Sequence, residues 1–167
     1  MNKRILVFTF LFFVTLIASA CEVITTNSED VERIEYKFKF TEPSKFPFEV
    51  NEVTTEIDIK DYWDLFIFYY RNVETTQQIK YILSKVSIES NNQISEGEKS
   101  KYKEYKLENG LSAYYEEVST SQVLWWERED GFLARFVYFT NVNDIALDEY
   151  QIEAEGFVQL ANQVQDE

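Results

Sequence analysis

The chain has no histidine, and its 167 residues include one cysteine, two prolines and four glycines. Without histidine the most common general base is missing, and a serine–histidine–aspartate triad cannot form. Neither the G-x-G-x-x-G pattern nor the Walker pattern occurs, so the usual glycine-rich phosphate loops are excluded. These absences predict a protein that is not an enzyme and that has no cofactor. A hydrolase of envelope polymers that works through two carboxylates is the remaining catalytic alternative.

Positive charge is also scarce, since 16 lysines and arginines stand against 30 aspartates and glutamates, for a net charge of −14. Binding to nucleic acid needs lysine and arginine to displace counterions, so we expect no nucleic-acid partner. Electrostatic docking on anionic lipid is disfavoured for the same reason. None of the acidic clusters has EF-hand spacing, so we expect solvated surfaces and no metal site. The clusters are Glu116 with Glu117, Glu127 with Glu129 and Asp130, and Glu153 with Glu155.

The first twenty residues have the three parts of a secretory signal peptide. Lys3 and Arg4 provide the positive start, residues 5–17 form an apolar run of 13 residues, and residues 18–20 are small. A membrane span needs about 20 apolar residues, so this run is short for an uncleaved anchor, which is the alternative interpretation. We predict a signal peptide at residues 1–20 and export from the cytoplasm.

Cys21 is the only cysteine and directly follows the small residues. This arrangement resembles the lipobox of bacterial lipoproteins, which implies that Cys21 carries acyl chains and becomes the N-terminus. Ala18 departs from that pattern, because a larger aliphatic residue is usual there. The alternative is ordinary cleavage after Ala18-Ser19-Ala20, which leaves Cys21 as a free thiol. We predict a lipid anchor on the extracytoplasmic face of the cell membrane, a polar flexible tether at residues 21–32 and a single domain at residues 33–167.

After the tether the pattern is mainly that of strands, with alternating apolar and polar residues. Strands are predicted at residues 34–40, 48–59, 62–70, 78–88, 102–107, 111–118, 123–129 and 132–140, with a loop at 90–100. Asn109-Gly110 and Asp130-Gly131 are typical of two-residue hairpin turns. Helical spacing begins near Asp148, a plausible N-cap, and continues to Gln165. Gly156 weakens the middle of this stretch, so the alternative is a shorter helix from Glu155 to Gln165. The expected fold is α+β, an antiparallel curved sheet of about seven strands with one C-terminal helix.

The C-terminal half also resembles a domain-of-unknown-function family of Gram-positive lipoproteins and of membrane proteins linked to sporulation and sigma-factor control. The similar segments are 110–115 (GLSAYY), 126–131 (WEREDG), 132–139, 157–164 (FVQLANQV) and the proline-containing 43–50 (PSKFPFEV). The resemblance implies the curved half-barrel of lipoprotein carriers and extracytoplasmic anti-sigma regulators. It supplies no catalytic residues.

Pairs of adjacent aromatic residues place one ring on each side of a strand, so both faces of the sheet should be apolar. A two-residue turn at Asp130-Gly131 would pair Trp125 with Phe136 and Trp126 with Arg135, and a bulge there would shift the pairing by one. With the two-residue turn, one face would carry a possible ligand groove in which Arg135 is the polar contact. The groove residues would be Leu124, Trp126, Arg135, Val137 and Phe139. The alternative is a strongly bent sheet that buries its own second face.

The expected function is a membrane-tethered extracytoplasmic module that binds a partner without catalysis. Within binding, the alternative is a carrier of a lipid-like or peptide ligand in the aromatic groove. The curvature of the sheet separates these possibilities. An open concavity lined by Trp125 or Trp126 favours a ligand, whereas a closed core favours a protein partner or a scaffold.

Overall fold

A computed structural model describes residues 41–86, 95–140 and 146–165. The predicted signal peptide, Cys21, the tether and the predicted strand at 34–40 lie outside the described residues. None of the helices in the described segments has the length and apolar character required to cross a bilayer.

The described chain forms one antiparallel sheet of seven strands in the order β1-β2-β3-β7-β6-β5-β4. The strands are β1 (Glu52–Lys60), β2 (Trp63–Arg71), β3 (Gln77–Val86), β4 (Lys103–Lys106), β5 (Ser112–Val118), β6 (Ser121–Glu127) and β7 (Leu133–Thr140). The helices are α1 (Glu96–Lys99), a 3₁₀ turn (Asp148–Tyr150) and α2 (Ala154–Gln163). The predicted α+β class, with a curved antiparallel sheet and one C-terminal helix, is confirmed.

Two meanders build the sheet, one from β1 to β3 and the other from β4 to β7. They join where β3 pairs with β7, from Gln77 opposite Thr140 to Ser84 opposite Leu133. The last strand in sequence therefore lies at the centre of the sheet, with β3 on one side and β6 on the other. Side chains on β7 consequently have neighbours from both meanders.

Alternating burial along the central strands defines two faces. In β2, Phe66, Phe68 and Tyr70 are buried, while Leu65 and Ile67 are only partly buried. We call the first side the inner face; its central residues are Phe66, Phe68, Tyr70, Ile79, Tyr81, Leu83, Ala113, Tyr115, Gln122, Leu124, Trp126, Ala134, Phe136 and Tyr138. We call the other side the outer face; its central residues are Leu65, Ile67, Tyr69, Lys80, Ile82, Tyr114, Val123, Trp125, Leu133, Arg135, Val137 and Phe139.

Helix α2 and the segment before β1 cover the inner face. Phe157, Leu160 and Ala161 of α2 are buried in the core. Phe46 packs on Tyr70 with ring centroids 4.6 Å apart, and Phe48 lies 6.0 Å from Tyr138. The proline-containing segment therefore seals one side of α2, and the inner face is closed.

The C-terminal helix begins later than its apolar spacing predicts. Asp148 opens the short 3₁₀ turn rather than capping α2, and its φ of 42° is not that of an N-cap. The N-cap of α2 is Glu153, whose backbone is extended (φ −60°, ψ 139°) and whose side chain makes no capping hydrogen bond. The prediction of Asp148 as cap was wrong because the chain between the two helices is extended.

The β6–β7 hairpin turns through three residues rather than two, and so does the β4–β5 hairpin at Asn109-Gly110, where Leu107 N donates to Leu111 O at 2.9 Å. Arg128 N donates to Phe132 O at 2.8 Å, Gly131 N donates to Arg128 O at 3.1 Å, and Gly131 has a φ of 84°. This is a turn closed by a glycine bulge, a conformation that residues with a Cβ rarely adopt. Trp125 therefore pairs with Arg135 and Trp126 with Ala134. The two-residue pairing was wrong, and the one-residue shift given as its alternative is confirmed.

Trp126 is expected to be the most sensitive single position of the core. It is 0% exposed and lies 6.3 Å from Tyr81 and 5.6 Å from Phe136, measured between ring centroids. Trp126→Ala should lower the free energy of unfolding by about 3–5 kcal/mol in urea denaturation, because it leaves a cavity. Trp126→Phe should cost clearly less, since the indole Nε1 has no hydrogen-bond acceptor within the described segments. Equal losses for the two variants would contradict this account.

Candidate recognition surface

The five residues predicted to line one groove lie on two sides of the sheet. Leu124 and Trp126 are on the inner face, and both are 0% exposed within the closed core. Arg135, Val137 and Phe139 are on the outer face, because the three-residue turn shifts β7 by one residue against β6. The groove as predicted does not form. Arg135, Val137 and Phe139 are separated from Leu124 and Trp126 by the thickness of the sheet.

The outer face is apolar at its centre. Leu65 and Ile67 on β2, Ile82 on β3, and Leu133 and Val137 on β7 are all partly buried. They occupy neighbouring strands in the sheet. Ile67 pairs directly with Ile82, whereas Ser84 lies between Leu65 and Leu133 and Lys80 pairs with Val137, so this apolar surface is interspersed with polar side chains.

One end of the outer face is covered by aromatic side chains from the second meander. Trp125 is 5% exposed because Tyr114 stacks on it at 4.5 Å and Tyr102 meets it edge-on at 5.8 Å, measured between ring centroids. Lys99 of α1 lies 5.7 Å from the Tyr114 ring. The region around α1, which the sequence predicted to be a loop, thus contributes to the margin of the outer face.

Arg135 lies near the centre of the outer face and has no ion-pair partner among the described residues. Its backbone neighbours are Ile82 on β3 and Trp125 on β6. The Nε atom is buried without a hydrogen-bond acceptor, and within the described segments the guanidinium forms no ion pair. Burial lowers the pKa of Arg135 below its ordinary value. Because a buried donor without an acceptor costs about 1–3 kcal/mol, this is an unfavourable arrangement in the isolated domain.

Other cations near this face have partners. Arg71 Nη1 lies 3.3 Å from Glu52 Oε2, and Lys60 Nζ lies 2.8 Å from Asp58 Oδ2. Lys99 Nζ lies 3.5 Å from Glu127 Oε1. Each pair is at least partly exposed, so its contribution to stability is small. These pairs nevertheless show that the acidic sequence provides carboxylates beside several cations but not beside Arg135.

Lys80 is the second central cation of the outer face. Its Nζ lies 5.4 Å from the Tyr69 ring centroid and 4.8 Å from that of Phe139. Burial and then the charge of Arg71 lower its pKa, while the charge of Glu56 raises it. Aromatic faces attract a cation but neutralise no charge. The centre of the outer face therefore carries two positive charges.

The margins of the outer face are acidic. Glu52, Glu56 and Asp58 lie on β1, and Glu104 and Glu116 lie on the opposite side, on β4 and β5. Tyr69 Oη donates to Glu56 Oε2 at 2.9 Å, and burial together with this bond raises the pKa of Tyr69 to about 12. The outer face thus combines an apolar, cationic centre with anionic edges.

A buried glutamine on the inner face was not identified from the sequence. Gln122 is 0% exposed, and its Nε2 donates to Ile152 O and to Tyr115 Oη, both at 2.6 Å. Its Oε1 accepts from Ile152 N at 3.0 Å. The side-chain amide thus binds the chain before α2 as a neighbouring strand would. Only the position of Gln122 in an apolar strand could have indicated this role.

A cleft of about 390 Å³ lies between α2, Glu108 and the segment of Lys45, Phe46 and Pro47. The Gln163 amide at its edge accepts from Ser44 N at 2.9 Å and from Lys45 N at 2.8 Å, and it donates to Lys45 O at 2.9 Å. These contacts fix the segment against the helix and satisfy the side-chain amide of Gln163.

The predicted acidic clusters do not converge. Glu116 and Glu117 are adjacent on strand β5, so their side chains point to opposite faces of the sheet. Among the residues of the described segments, no group of three or more His, Cys, Asp or Glu side chains is placed to hold a metal ion.

Replacing Gln122 should loosen the attachment of α2. We expect Gln122→Leu to lower the free energy of unfolding by about 2–3 kcal/mol, because Ile152 loses both backbone partners. Gln151→Ala is the matched control, since that side chain is exposed and its contact is with Glu117 at the surface. The control should change stability by no more than about 0.5 kcal/mol. Thermal and urea denaturation measure both; similar losses would contradict a specific role for Gln122.

No protein-family model matches this chain, and neither the curated proteins nor the solved structures provide a match. The resemblance of its C-terminal half to a lipoprotein family therefore stays a prediction. The function proposed below is therefore argued from the geometry of the sheet.

Proposed function

We propose that this protein is a membrane-tethered extracytoplasmic module that binds a partner through its outer face and catalyses no reaction. The observation that supports this most directly is Arg135, a cation without an acceptor at the centre of an apolar surface. Surfaces with an apolar centre, a central arginine or aromatic residue and a polar rim are typical of protein interfaces.

Carriage of a ligand inside the domain receives less support. A carrier needs an apolar concavity that can surround its ligand. Trp126 is fully buried among Tyr81 and Phe136, and the inner face is filled by α2 and the segment that contains Phe46 and Phe48. A closed core favours a partner that contacts the surface.

A carboxylate-dependent hydrolase also receives little support. Such an enzyme needs one carboxyl that remains protonated near neutral pH, facing a second one across a cleft. The side-chain hydrogen bond from Lys60 lowers the pKa of Asp58, and the one from Ser112 lowers that of Glu104. At Asp130, burial raises the pKa but the bonds from Arg128 and Phe132 N outweigh it, so the pKa is lowered. These three carboxyls are suited to holding cations rather than donating protons.

The tether can be tested separately from the surface. Because the acyl chains on Cys21 would provide the membrane attachment, Cys21→Ser should move the domain from the membrane fraction to the soluble extracytoplasmic fraction. Mass spectrometry of the mature N-terminus should show a diacylated cysteine in the natural protein. Unchanged fractionation of the variant would exclude the lipid anchor.

The binding surface can be tested by site-specific photo-crosslinking in the organism that produces the protein. We expect a photoreactive phenylalanine analogue at Val137, in the centre of the outer face, to give an adduct of defined mass. The same analogue at Val53, which is 54% exposed on the opposite side of the sheet, across from Tyr70, should give none. Absence of an adduct at Val137, or equal adducts at the two positions, would overturn the proposed surface.

A further inference from the structure

We propose that the partner is a protein that places an aspartate or glutamate carboxylate against Arg135, within an otherwise apolar contact. This inference rests on the proposed function and specifies the chemistry of the partner. It starts from the unsatisfied Nε of Arg135 and from the side chains that surround it.

Within the described residues the Nε of Arg135 has no acceptor, and Glu127, which lies diagonally from it on β6, is paired with Lys99. Arginine presents N–H donors in a planar fork and cannot act as an acceptor itself. Its cross-strand neighbours are Ile82 and Trp125, and Leu133 and Val137 precede and follow it on the same face of β7. None of these side chains provides an oxygen. A carboxylate matches the fork with two parallel hydrogen bonds, which a single carbonyl oxygen cannot do.

The charge of this region favours an anionic acceptor over a neutral one. Lys80 pairs with Val137 and Arg135 with Ile82, so the two cations lie diagonally on adjacent strands. Among the described residues, no carboxylate forms an ion pair with either of them. A carboxylate placed here would be attracted by both charges in a partly desolvated setting, where electrostatic interactions are stronger than in water.

The shape of the surface favours a protein over a small amphiphile. The four central strands, spaced about 4.8 Å apart and about eight residues long, present roughly 500 Å² on this face. Counted on both partners, that approaches the roughly 1,000 Å² expected of a specific protein interface. Two clefts lined by described residues lie elsewhere, one beside α2 and the other at the β2–β3 turn around Thr76.

The anionic edges further restrict the partner. Glu56 and Asp58 on one side and Glu116 on the other would repel acidic groups at the rim of a bound surface. The complementary partner therefore has its carboxylate in the middle and neutral or basic residues around it. A second copy of this chain does not meet this requirement, because it carries the same net charge of −14. Anionic lipid and nucleic acid are disfavoured by the same charge.

The test combines the Val137 photo-crosslink with substitutions of two arginines in the full-length protein. Arg135→Gln should reduce the adduct by about tenfold or more, because a charge-assisted bidentate contact is lost. Arg71→Gln is the matched control: Arg71 lies on the same face and its Nε is likewise buried without an acceptor, but its Nη1 already pairs with Glu52 Oε2. This variant should leave the adduct within about twofold. Circular dichroism should show that both variants are folded, and Lys80→Gln provides a second variant with an expected smaller reduction.

Mass spectrometry of the adduct decides the nature of the partner. The proposal expects a protein segment that contains an aspartate or glutamate next to the cross-linked residue. Reversal of that carboxylate to arginine, combined with Arg135→Glu, should restore the adduct. An adduct unchanged by Arg135→Gln, or one formed with a lipid or a second copy of this chain, would overturn this inference while leaving the outer face as a binding surface. Failure to form any adduct at Val137 would instead overturn the proposed function itself.

Discussion

The register of β6 against β7 is the constraint on which both faces of the sheet depend. Gly131, with its positive φ, adds a residue to the turn and thereby places Trp126 opposite Ala134 instead of Arg135. A register shifted by one would turn β7 over and place Arg135 in the closed core beneath α2. A buried cation without a partner is strongly unfavourable there. The backbone conformation of Gly131 therefore determines that Arg135 lies on the outer face and not in the apolar core.

The two faces are maintained by different interactions. The inner face is stabilised by burial of large rings such as Tyr81 and Phe136, whose centroids are 4.7 Å apart, and by the covering helix α2. Gln122 adds a polar contact that fixes how the chain enters that helix. The outer face gains less from packing, because side chains such as Leu65 and Ile67 are only partly buried. Such an asymmetry is expected where a surface is selected for contact with another molecule rather than for stability of the free domain.

Periodicity in the sequence was sufficient for the fold class and the positions of most strands, because alternating burial imposes a period of two. The two glycine dipeptides predicted where both hairpins turn but not the length of the turns, since each turn contains three residues and not two. Periodicity was insufficient for the register, since Asp130-Gly131 suits both a two-residue and a three-residue turn. The start of α2 was placed too early because Gln122, thirty positions before Ile152, holds that segment extended. The predicted groove was wrong because it relied on the wrong register of β7 against β6. Only the structure shows that the Nε of Arg135 has no acceptor among the described residues, since this depends on neighbours from three strands.

The pairing of β3 with β7 has a consequence for how the molecule folds. Each meander consists of hairpins between consecutive strands, which close short loops and form rapidly. The two meanders can be joined only when β7, the last strand, has been synthesised and docks beside β3. Until then β3 is an unprotected edge with Ile79, Tyr81 and Leu83 exposed on one side, a surface that is prone to aggregation. During synthesis the chain therefore remains prone to aggregation until residues 133–140 can pair with β3.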